Sequence, residues 1–464
     1  MTGEQWIELL GKTLIESSRY GFITSDRLQL WMNDFSTDSS PSTSTAGPLG
    51  LQPKRLTTAG ATSIAFQNTR ANIGTMDLSF LYPAFDSSPD ALELVPQEAT
   101  TDTNAQPSGW LSSTTTRPDS ANDQSRSEAY EILGQDLKAT VAVLGQRMRL
   151  DELTIGGPLS LKSASPETRT PVEVRGQSLA LATSSEGEID LKIDGQPAQV
   201  LMADGSFSGP SIRYNQHDNR IWMDQPGEFT LPTHRLNNIA GTGTMQWEMP
   251  LHCSWQDRMY FDGQTVRLEG GITLTGAIRQ SAGVWLLEGL CSEMDLQLSQ
   301  PIRFPSSATR PENSVTAAHL DQIILRQQVD LRVAQRNAAG DRVSLERLLV
   351  PQLTIFVPQE KVVATGPGLG ISKFMTGRPI GSLSSSRSRS LQQLQIAHLT
   401  FRDSLVDFLN RREVVADGSV NITNSPIDNW DQNFDPKSIA RFSPGQMSVT
   451  SDQLKLYDTS SLSS

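Results

Sequence analysis

RMYFDGQTVRLEGGITLT, Arg258 to Thr275, carries its apolar residues at alternate positions. Met259 and Phe261 alternate with Tyr260 and Asp262, Val266 and Leu268 with Arg267 and Glu269, and Ile272 and Leu274 with Thr273 and Thr275. A period of two puts each apolar set on one face of a β-strand, and the Asp-Gly and Gly-Gly steps between the sets mark turns or bends. The pattern extends outward to Met294, Leu296 and Leu298, to Ile189, Leu191 and Ile193, to Leu179 and Leu181, and to Phe229 and Leu231. Helical spacing is confined to three candidates, residues 1–17, 128–138 and 315–326, of which the first and last also read as strands. The expectation is an all-β chain in which the alternation fixes the interior face, since a one-residue slip would turn every apolar side chain outward.

Two sequence elements recur. TSDRLQLW (Thr24 to Trp31) returns as TSDQLKLY (Thr450 to Tyr457), and VVATG (Val362 to Gly366) returns 52 residues later as VVADG (Val414 to Gly418). Looser copies of the second element align on its glycine, as Ile7, Gly11 and Ile15, Leu56, Gly60 and Ile64, Val362, Gly366 and Ile371, and Val414, Gly418 and Ile422. LTIFV (Leu353 to Val357), a PQEK turn and a second strand with a central glycine make one unit, and YNQHDNRIWMDQPGEFTL (Tyr214 to Leu231) makes another. A glycine inside a strand marks a bulge or sharp bend. Such bent antiparallel hairpins have one apolar face and must stack to bury it, which predicts an elongated β-repeat, jellyroll-like or solenoid-like. Copies reach close to both ends, so the chain is expected to be an interior piece of a longer protein or to have a misassigned start.

Composition sets the remaining bounds. The 464 residues carry 39 Lys plus Arg against 51 Asp plus Glu, a net charge of −12, which argues against binding a nucleic-acid backbone. No apolar run has the length of a spanning helix, so the chain is expected not to be transmembrane. Two cysteines, Cys253 and Cys291, cannot form a disulfide framework; buried thiols are the expectation, with a single bridge between them as the alternative. Ser/Thr/Pro-rich segments divide the chain into a partial repeat (1–35), a linker (36–54), a repeat (55–83), a second, disordered linker (84–128), a main module (129–304), a linker (305–314) and a second module (315–464) with loops at 366–390 and 424–447.

SIRYNQHDNRIWMDQPGEFTL (Ser211 to Leu231), WQDRMYFDGQTVRLEGGITLTG (Trp255 to Gly276), VVATGPGLGIS (Val362 to Ser372) and VVADGSVNIT (Val414 to Thr423) together resemble the OstA-like (organic-solvent-tolerance) repeat of lipopolysaccharide-transport bridge proteins, in the long, linker-rich layout of planctomycete-type relatives. The resemblance implies a folded-over sheet open along one seam, a lipid or lipopolysaccharide-like amphiphile as partner, and a periplasmic or cell-envelope location. An apolar slot needs no catalytic group, because each methylene removed from water is worth about 0.8 kcal/mol. Candidate lining residues are Ile212, Tyr214, Met259, Phe261, Val266, Leu268, Ile272 and Leu274. Exposed terminal strands would also allow end-to-end pairing with another copy or another component.

No constellation for chemistry stands out. His217, His234, His252, His319 and His398 are scattered and lack zinc-ligand spacing. GSFSG (205–209) and GPGLG (366–370) read as turns, DNWDQNFD (428–435) as a turn around Trp430, and Asp262 and Glu269 as polar decoration across a hairpin. The expected function is therefore non-enzymatic shielding or transfer of acyl chains, without catalytic, cofactor or metal residues. The alternatives are a structural β-repeat scaffold and a carbohydrate-active enzyme on a β-solenoid.

Overall fold

A computed structural model describes residues 5–17, 21–34, 51–66, 69–82, 130–144, 147–163, 172–202, 205–231, 246–280, 283–301, 320–376, 393–408, 413–434 and 445–457. Among these residues there are 24 strands and no helix. The linker at 84–128 and that at 305–314 lie outside the described residues. The chain forms two compact units, built chiefly from residues 1–203 with 208–221, and from 204–207, 222–302 and 317–464.

The first unit contains β1 (Gln5–Ser17), β2 (Gly21–Asp34), β3 (Leu51–Ala59), β4 (Thr62–Phe66), β5 (Thr69–Leu81), β6 (Tyr130–Leu144), β7 (Arg147–Ser163), β8 (Glu173–Thr183) and β9 (Ile189–Met202), with most of β10 (Gly205–Asn215). Cross-strand register carries one row through it: Leu9, Leu28, Thr58, Met76, Leu137, Ile155, Leu179 and Ile193. Every member except Leu9, on the outermost strand, is buried. Thr58 is tolerated there because its hydroxyl accepts from the Met76 amide at 3.0 Å and from the Thr62 hydroxyl at 2.8 Å.

The second unit begins with β11 (Arg220–Met223), which straddles the boundary. It continues with β12 (Gly227–Leu231), β13 (Gln246–Trp255), β14 (Arg258–Phe261), β15 (Thr265–Gln280), β16 (Gly283–Leu298) and β17 (Leu320–Arg336). The remainder is β18 (Arg342–Phe356), β19 (Lys361–Thr365), β20 (Gly368–Thr376), β21 (Gln393–Phe401), β22 (Ser404–Phe408), β23 (Glu413–Pro426) and β24 (Met447–Tyr457). Its main row runs Met259, Leu268, Met294, Leu325, Leu353, Ala364, Leu405, Ala416 and Leu454. Leu405 and Leu454 are half-buried, and the other seven are nearly inaccessible.

Strands bend at a common level. Register shifts fall at Glu269/Ile272, Leu290/Glu293, Arg326/Val329 and Asp417/Val420 in the second unit, and at Leu10/Thr13, Leu133/Asp136, Gly156/Leu159 and Arg175/Ser178 in the first. Shorter strands break there instead: β13 passes to β14 at Gln256-Asp257, and β21 to β22 at Arg402-Asp403. The two breaks share one backbone arrangement. Gln256 N donates to Gly270 O at 2.6 Å and Asp257 N to Glu269 O at 3.2 Å, while Arg402 N donates to Gly418 O at 2.6 Å and Asp403 N to Asp417 O at 3.1 Å. Gly60, Gly270 and Gly418 all have positive φ (85°, 83° and 83°), and the aspartate of the preceding strand (Asp26, Asp257 or Asp403) lies where a Cβ would project. Gly60 and Gly418 of the glycine repeat and Asp26 of the first T-S-D belong to such joints, whereas Gly366 lacks a positive φ and packs against the backbone of Arg402.

Several expectations require correction. Residues 128–138, expected as helix, contribute to strand β6, and β1 and β17 occupy most of the other two helical candidates. The leucine and valine spacing of β6 buries Ile132, Leu137 and Ala139 on one face across a bulge, which mimics a helical period. Not every neighbour is a hairpin: β5 and β6 pair in parallel, from Thr69 with Tyr130 to Leu81 with Ala142, which requires a long crossover. β3 starts inside the expected 36–54 linker, β20 occupies part of 366–390, and β23 and β24 reach into 424–447 at its two ends. The division between units falls within 129–304. GSFSG is strand, the start of β10, and the Gly366-Pro367 step of GPGLG bends into β20.

On the opposite face of β17 and β18, Asp330 accepts paired hydrogen bonds from Arg347, both at 2.8 Å, and further ones from Arg332. The Arg347 hydrogen bonds, more than burial opposes, hold its carboxyl below the usual carboxylate range, with Arg332 assisting. A depressed folded pKa gives stability that is present above the unfolded pKa and lost as pH falls through the folded one. Asp330→Asn is therefore expected to destabilise by about 1–2 kcal/mol at pH 7, a discounted figure because both guanidiniums are about 40% exposed. Denaturant melts should show that difference shrinking below about pH 4.

Candidate functional site

The inner face of the second unit follows from register. From the bend outward on one side, β17 presents Leu325 and then Ile323, and β18 presents Leu353 and then Ile355. On the other side β17 presents Val329, Leu331 and Val333, and β18 presents Val350, Leu348 and Glu346. Burial falls along β17 on both sides of the bend and along β18 as far as Glu346, beyond which Ser344 is buried again. Leu325, Leu353, Val329 and Val350 are buried, Ile323, Ile355, Leu331, Val333 and Leu348 are half-buried, and Glu346 is exposed. The same gradient appears on β15, from Leu268 to Val266, and on β16, from Cys291 through Gly289 to Leu287 and Trp285. Inner positions of β15 to β18 that are dry at the bend and wetter over the next residues, with buried polar side chains at Ser344, Gln395 and Asn424 beyond, fit a sheet folded over on itself as a slot.

Glu346 and Asp407 fix how the limbs face each other. Glu346 lies five residues before Pro351 on β18, and Asp407 lies four residues after Asp403 on β22. In a flat sheet they would be roughly 30 Å apart, at ~3.3 Å per residue and ~4.8 Å per strand. Burial raises the Glu346 carboxyl, and the Asp407 charge adds to that rise, so the two groups lie within electrostatic reach of each other. Burial likewise raises Asp407, which is half-buried. Glu346 is enveloped by protein while its side chain keeps access to solvent. That combination belongs to the wall of an open crevice, and the accessible surface is the reason its energetic cost is modest.

A raised carboxyl reverses the usual sign: the unfolded state releases its proton first, so stability is lost as pH rises from the ordinary carboxylate range through the folded pKa. Glu346→Gln with Asp407→Asn should therefore raise Tm by about 2–4 °C at pH 7, corresponding to about 1 kcal/mol. Calorimetry at pH 4 should find a smaller gain.

The slot changes character along the strands. Between β13 and β16 it presents Cys253, Leu274, Ile272, Cys291 and Leu287. Between β18 and β23 the equivalent row reads Glu346, Ser372, Ala397 and Asn424, and the next row includes Ser344 and Gln395. Asn424 Nδ2 donates to Gln395 Oε1 at 2.7 Å, which satisfies part of this buried polar surface. Cys253 and Cys291 are free buried thiols; burial pushes Cys291 up to about 12 and Cys253 higher still, so neither is a ready nucleophile.

No protein-family model matches the chain, and neither a curated protein nor a solved structure matches it. The site therefore rests on its own geometry.

Of the eight candidate lining residues, Met259, Phe261, Val266, Leu268, Ile272 and Leu274 share the inner face of the second unit. Met259 pairs with Leu268 and Phe261 with Val266. Five of the six are buried and form the slot floor and its flanks, and Val266 is half-buried toward the margin. Ile212 and Tyr214 lie on β10 in the first unit, where Ile212 is buried and Tyr214 is half-buried with its phenol pushed up to about 12 by burial. The accessible lining is instead Ile323, Ile355, Leu331, Val333, Leu348 and Glu346. The sequence signal for Glu346 is a charged residue at an inner position of the β18 alternation.

Other sequence candidates have structural roles. Asp262 Oδ1 accepts from the amides of Gln264 and Thr265 in the hairpin turn, and Glu269 pairs with Arg258, so the two do not form a couple. Trp430 and Phe434 pack with Ile371 and Met375 on a small cluster of Leu394, Ile396 and Ile427, and Lys373 Nζ donates to Trp430 O at 2.6 Å. His252 and Cys253 alternate along β13, with only Cys253 on the buried face. Among the described residues no group of three His, Cys, Asp or Glu side chains is placed to hold a metal, and no helix is long and apolar enough to cross a membrane.

Proposed function

We propose that the second unit shelters the acyl portion of an amphiphile, lipopolysaccharide-like in chemistry, between its two limbs, as a non-enzymatic protein of the periplasm or cell envelope. The observation that supports this reading is the gradient from dry to wet along the slot, lined at its accessible margin by Ile323, Ile355, Leu331, Val333 and Leu348. An acyl chain entering at the margin covers half-exposed apolar surface at ~25 cal/mol per Å² and leaves a headgroup in water. At about 0.8 kcal/mol each, roughly fifteen methylenes, one long acyl chain or two shorter ones, are needed for micromolar binding once an association cost of about 4 kcal/mol is met.

The Glu346–Asp407 pair favours a second reading, glycan hydrolysis by two carboxylates, although such enzymes need one carboxyl protonated and its partner ionised. Titration of a fluorescent fatty-acyl probe, together with native mass spectrometry of the purified protein, separates the readings. The lipid reading expects saturable probe binding that falls at least about tenfold in Leu331→Arg, with Glu346→Gln retaining it. An unaffected Leu331→Arg, or no binding at all, would leave a packed scaffold. Glycan cleavage that disappears in Glu346→Gln would support the enzyme.

A further inference from the structure

The limb that carries Glu346 changes chemistry with distance from the bend. One inner row beyond Leu287, Val333 and Glu346, cross-strand register runs without a break through Trp285 on β16, Gln335 on β17, Ser344 on β18, Phe374 on β20 and Gln395 on β21. Ser344 Oγ donates to Gln335 Oε1 at 3.4 Å, and Asn424 on β23 joins the row through its hydrogen bond to Gln395. Every member is an amide, a hydroxyl or an aromatic ring. The facing limb presents Val266, Leu296, Ile323, Ile355 and Val362 in register before it reaches Asp407. One wall of the slot is thus apolar, and the other ends in hydrogen-bonding groups and rings.

Two polar atoms of this wall, Trp285 Nε1 and Asn424 Oδ1, are buried and, among the described residues, have no hydrogen-bond partner. Buried polar groups in folded proteins are ordinarily satisfied, because one left unmade costs the desolvation of that group. Asn424 is only 7% exposed, and its Nδ2 is already committed to Gln395, so its carbonyl oxygen is an acceptor held ready on the inner face. Trp285 supplies a donor on the same face. An acyl chain has neither donor nor acceptor and answers neither group.

A hydroxyl answers both, since it donates one hydrogen bond and accepts others. Rings beside amides fit a saccharide, whose C–H faces lie against aromatic side chains while its hydroxyls reach polar ones. Glu346 and Asp407 add acceptors in the same slot and repel phosphate or carboxylate. At ~4.8 Å per strand the row from β16 to β23 is about 24 Å long, which suits a short oligosaccharide better than one sugar.

We propose that this wall of the second unit is a saccharide site, which takes an uncharged or amine-bearing oligosaccharide along the row from Trp285 to Asn424. The indole N–H donates to one sugar hydroxyl, and the Asn424 carbonyl accepts from another. The site binds and breaks no bond, which separates it from the hydrolytic reading. It rests on the folded-over slot of the acyl reading but uses the rows beyond the apolar lining, so either ligand can bind without the other. Two sources carry this chemistry, the sugar head of the sheltered amphiphile and a free glycan.

Calorimetric titration of the full chain with cellopentaose, chitopentaose, mannopentaose and maltopentaose, with dodecyl maltoside below its micellar concentration, and with the fatty-acyl probe tests the proposal. At least one pentaose should bind saturably. Trp285→Phe, which keeps a ring and removes the N–H, and Asn424→Leu should each weaken that binding at least about tenfold while the melting transition is retained. Leu331→Arg should leave it unchanged. A pentaose bound by a chain that ignores the acyl probe keeps this site and removes the acyl reading. Dodecyl maltoside binding that falls in all three variants identifies an amphiphile's sugar head as the source, and pentaose binding that gains nothing from the dodecyl chain identifies a free glycan. Pentagalacturonate, an anionic counterpart, should bind only when Glu346→Gln and Asp407→Asn are combined. No binding of any pentaose up to about 1 mM would overturn the proposal. So would binding indifferent to both Trp285→Phe and Asn424→Leu, or equal binding of pentagalacturonate to the unsubstituted chain.

Discussion

Replacing Gly418 by valine is expected to lower the melting temperature of the second unit by about 10 °C. The residue sits at φ 83°, where a side chain costs ~1–2 kcal/mol, and the Asp403 carboxylate already occupies the space a Cβ would take, which adds ~1–3 kcal/mol of overpacking. A total near 3 kcal/mol at ~2–4 °C per kcal/mol gives the shift. Gly11→Val supplies the contrast. Its φ is as unfavourable, yet among the described residues nothing lies within 4 Å of its Cβ position, so this variant should lose only about 1–2 kcal/mol, measured by denaturant titration. Equal losses at the two positions would mean that the aspartate does not pack against the glycine.

Leu353→Ala should cost about 3–4 kcal/mol, and Ile355→Ala, two residues farther along the same face, about 1 kcal/mol. Leu353 has 0% exposure at the centre of the main row, so its removal leaves a cavity bounded by neighbours that cannot collapse. Ile355 faces the wet margin, where water fills the space and only part of the transfer energy is lost. Urea melts of the two variants measure the gradient directly, and equal costs would mean that the sheet faces close completely.

The alternation in Met259 to Leu274 made the strands and their inner face legible, because burial demands a period of two wherever one side of a sheet is dry. The glycine spacing also pointed to bends, and the register later made Ile7, Gly11 and Ile15 equivalent to Val414, Gly418 and Ile422. Other features depended on contacts remote in sequence. Asp26 and Gly60 belong to different strands, so neither residue alone announces the joint they form. β6 read as a helix because its bulge shifts the apolar positions out of strict alternation. The candidate lining at Leu268 and Ile272 fell on the dry floor, since the apolar pattern cannot distinguish depth within a slot. Glu346 and Asp407 were missed for a related reason: an inward carboxylate interrupts the hydrophobic signal that locates the interior, and 61 residues separate the pair.

The fold-over itself is the central claim, and the distance between residues 346 and 407 reports it. Spin labels at Glu346→Cys and Asp407→Cys, with Cys253 and Cys291 replaced by alanine, can be measured by double electron–electron resonance. Facing sheets pack ~10 Å apart, so the account predicts one short distribution, centred at about 20 Å or less with the label arms included. A distribution centred at roughly 30 Å or beyond, the separation of a sheet that stays flat, would contradict it.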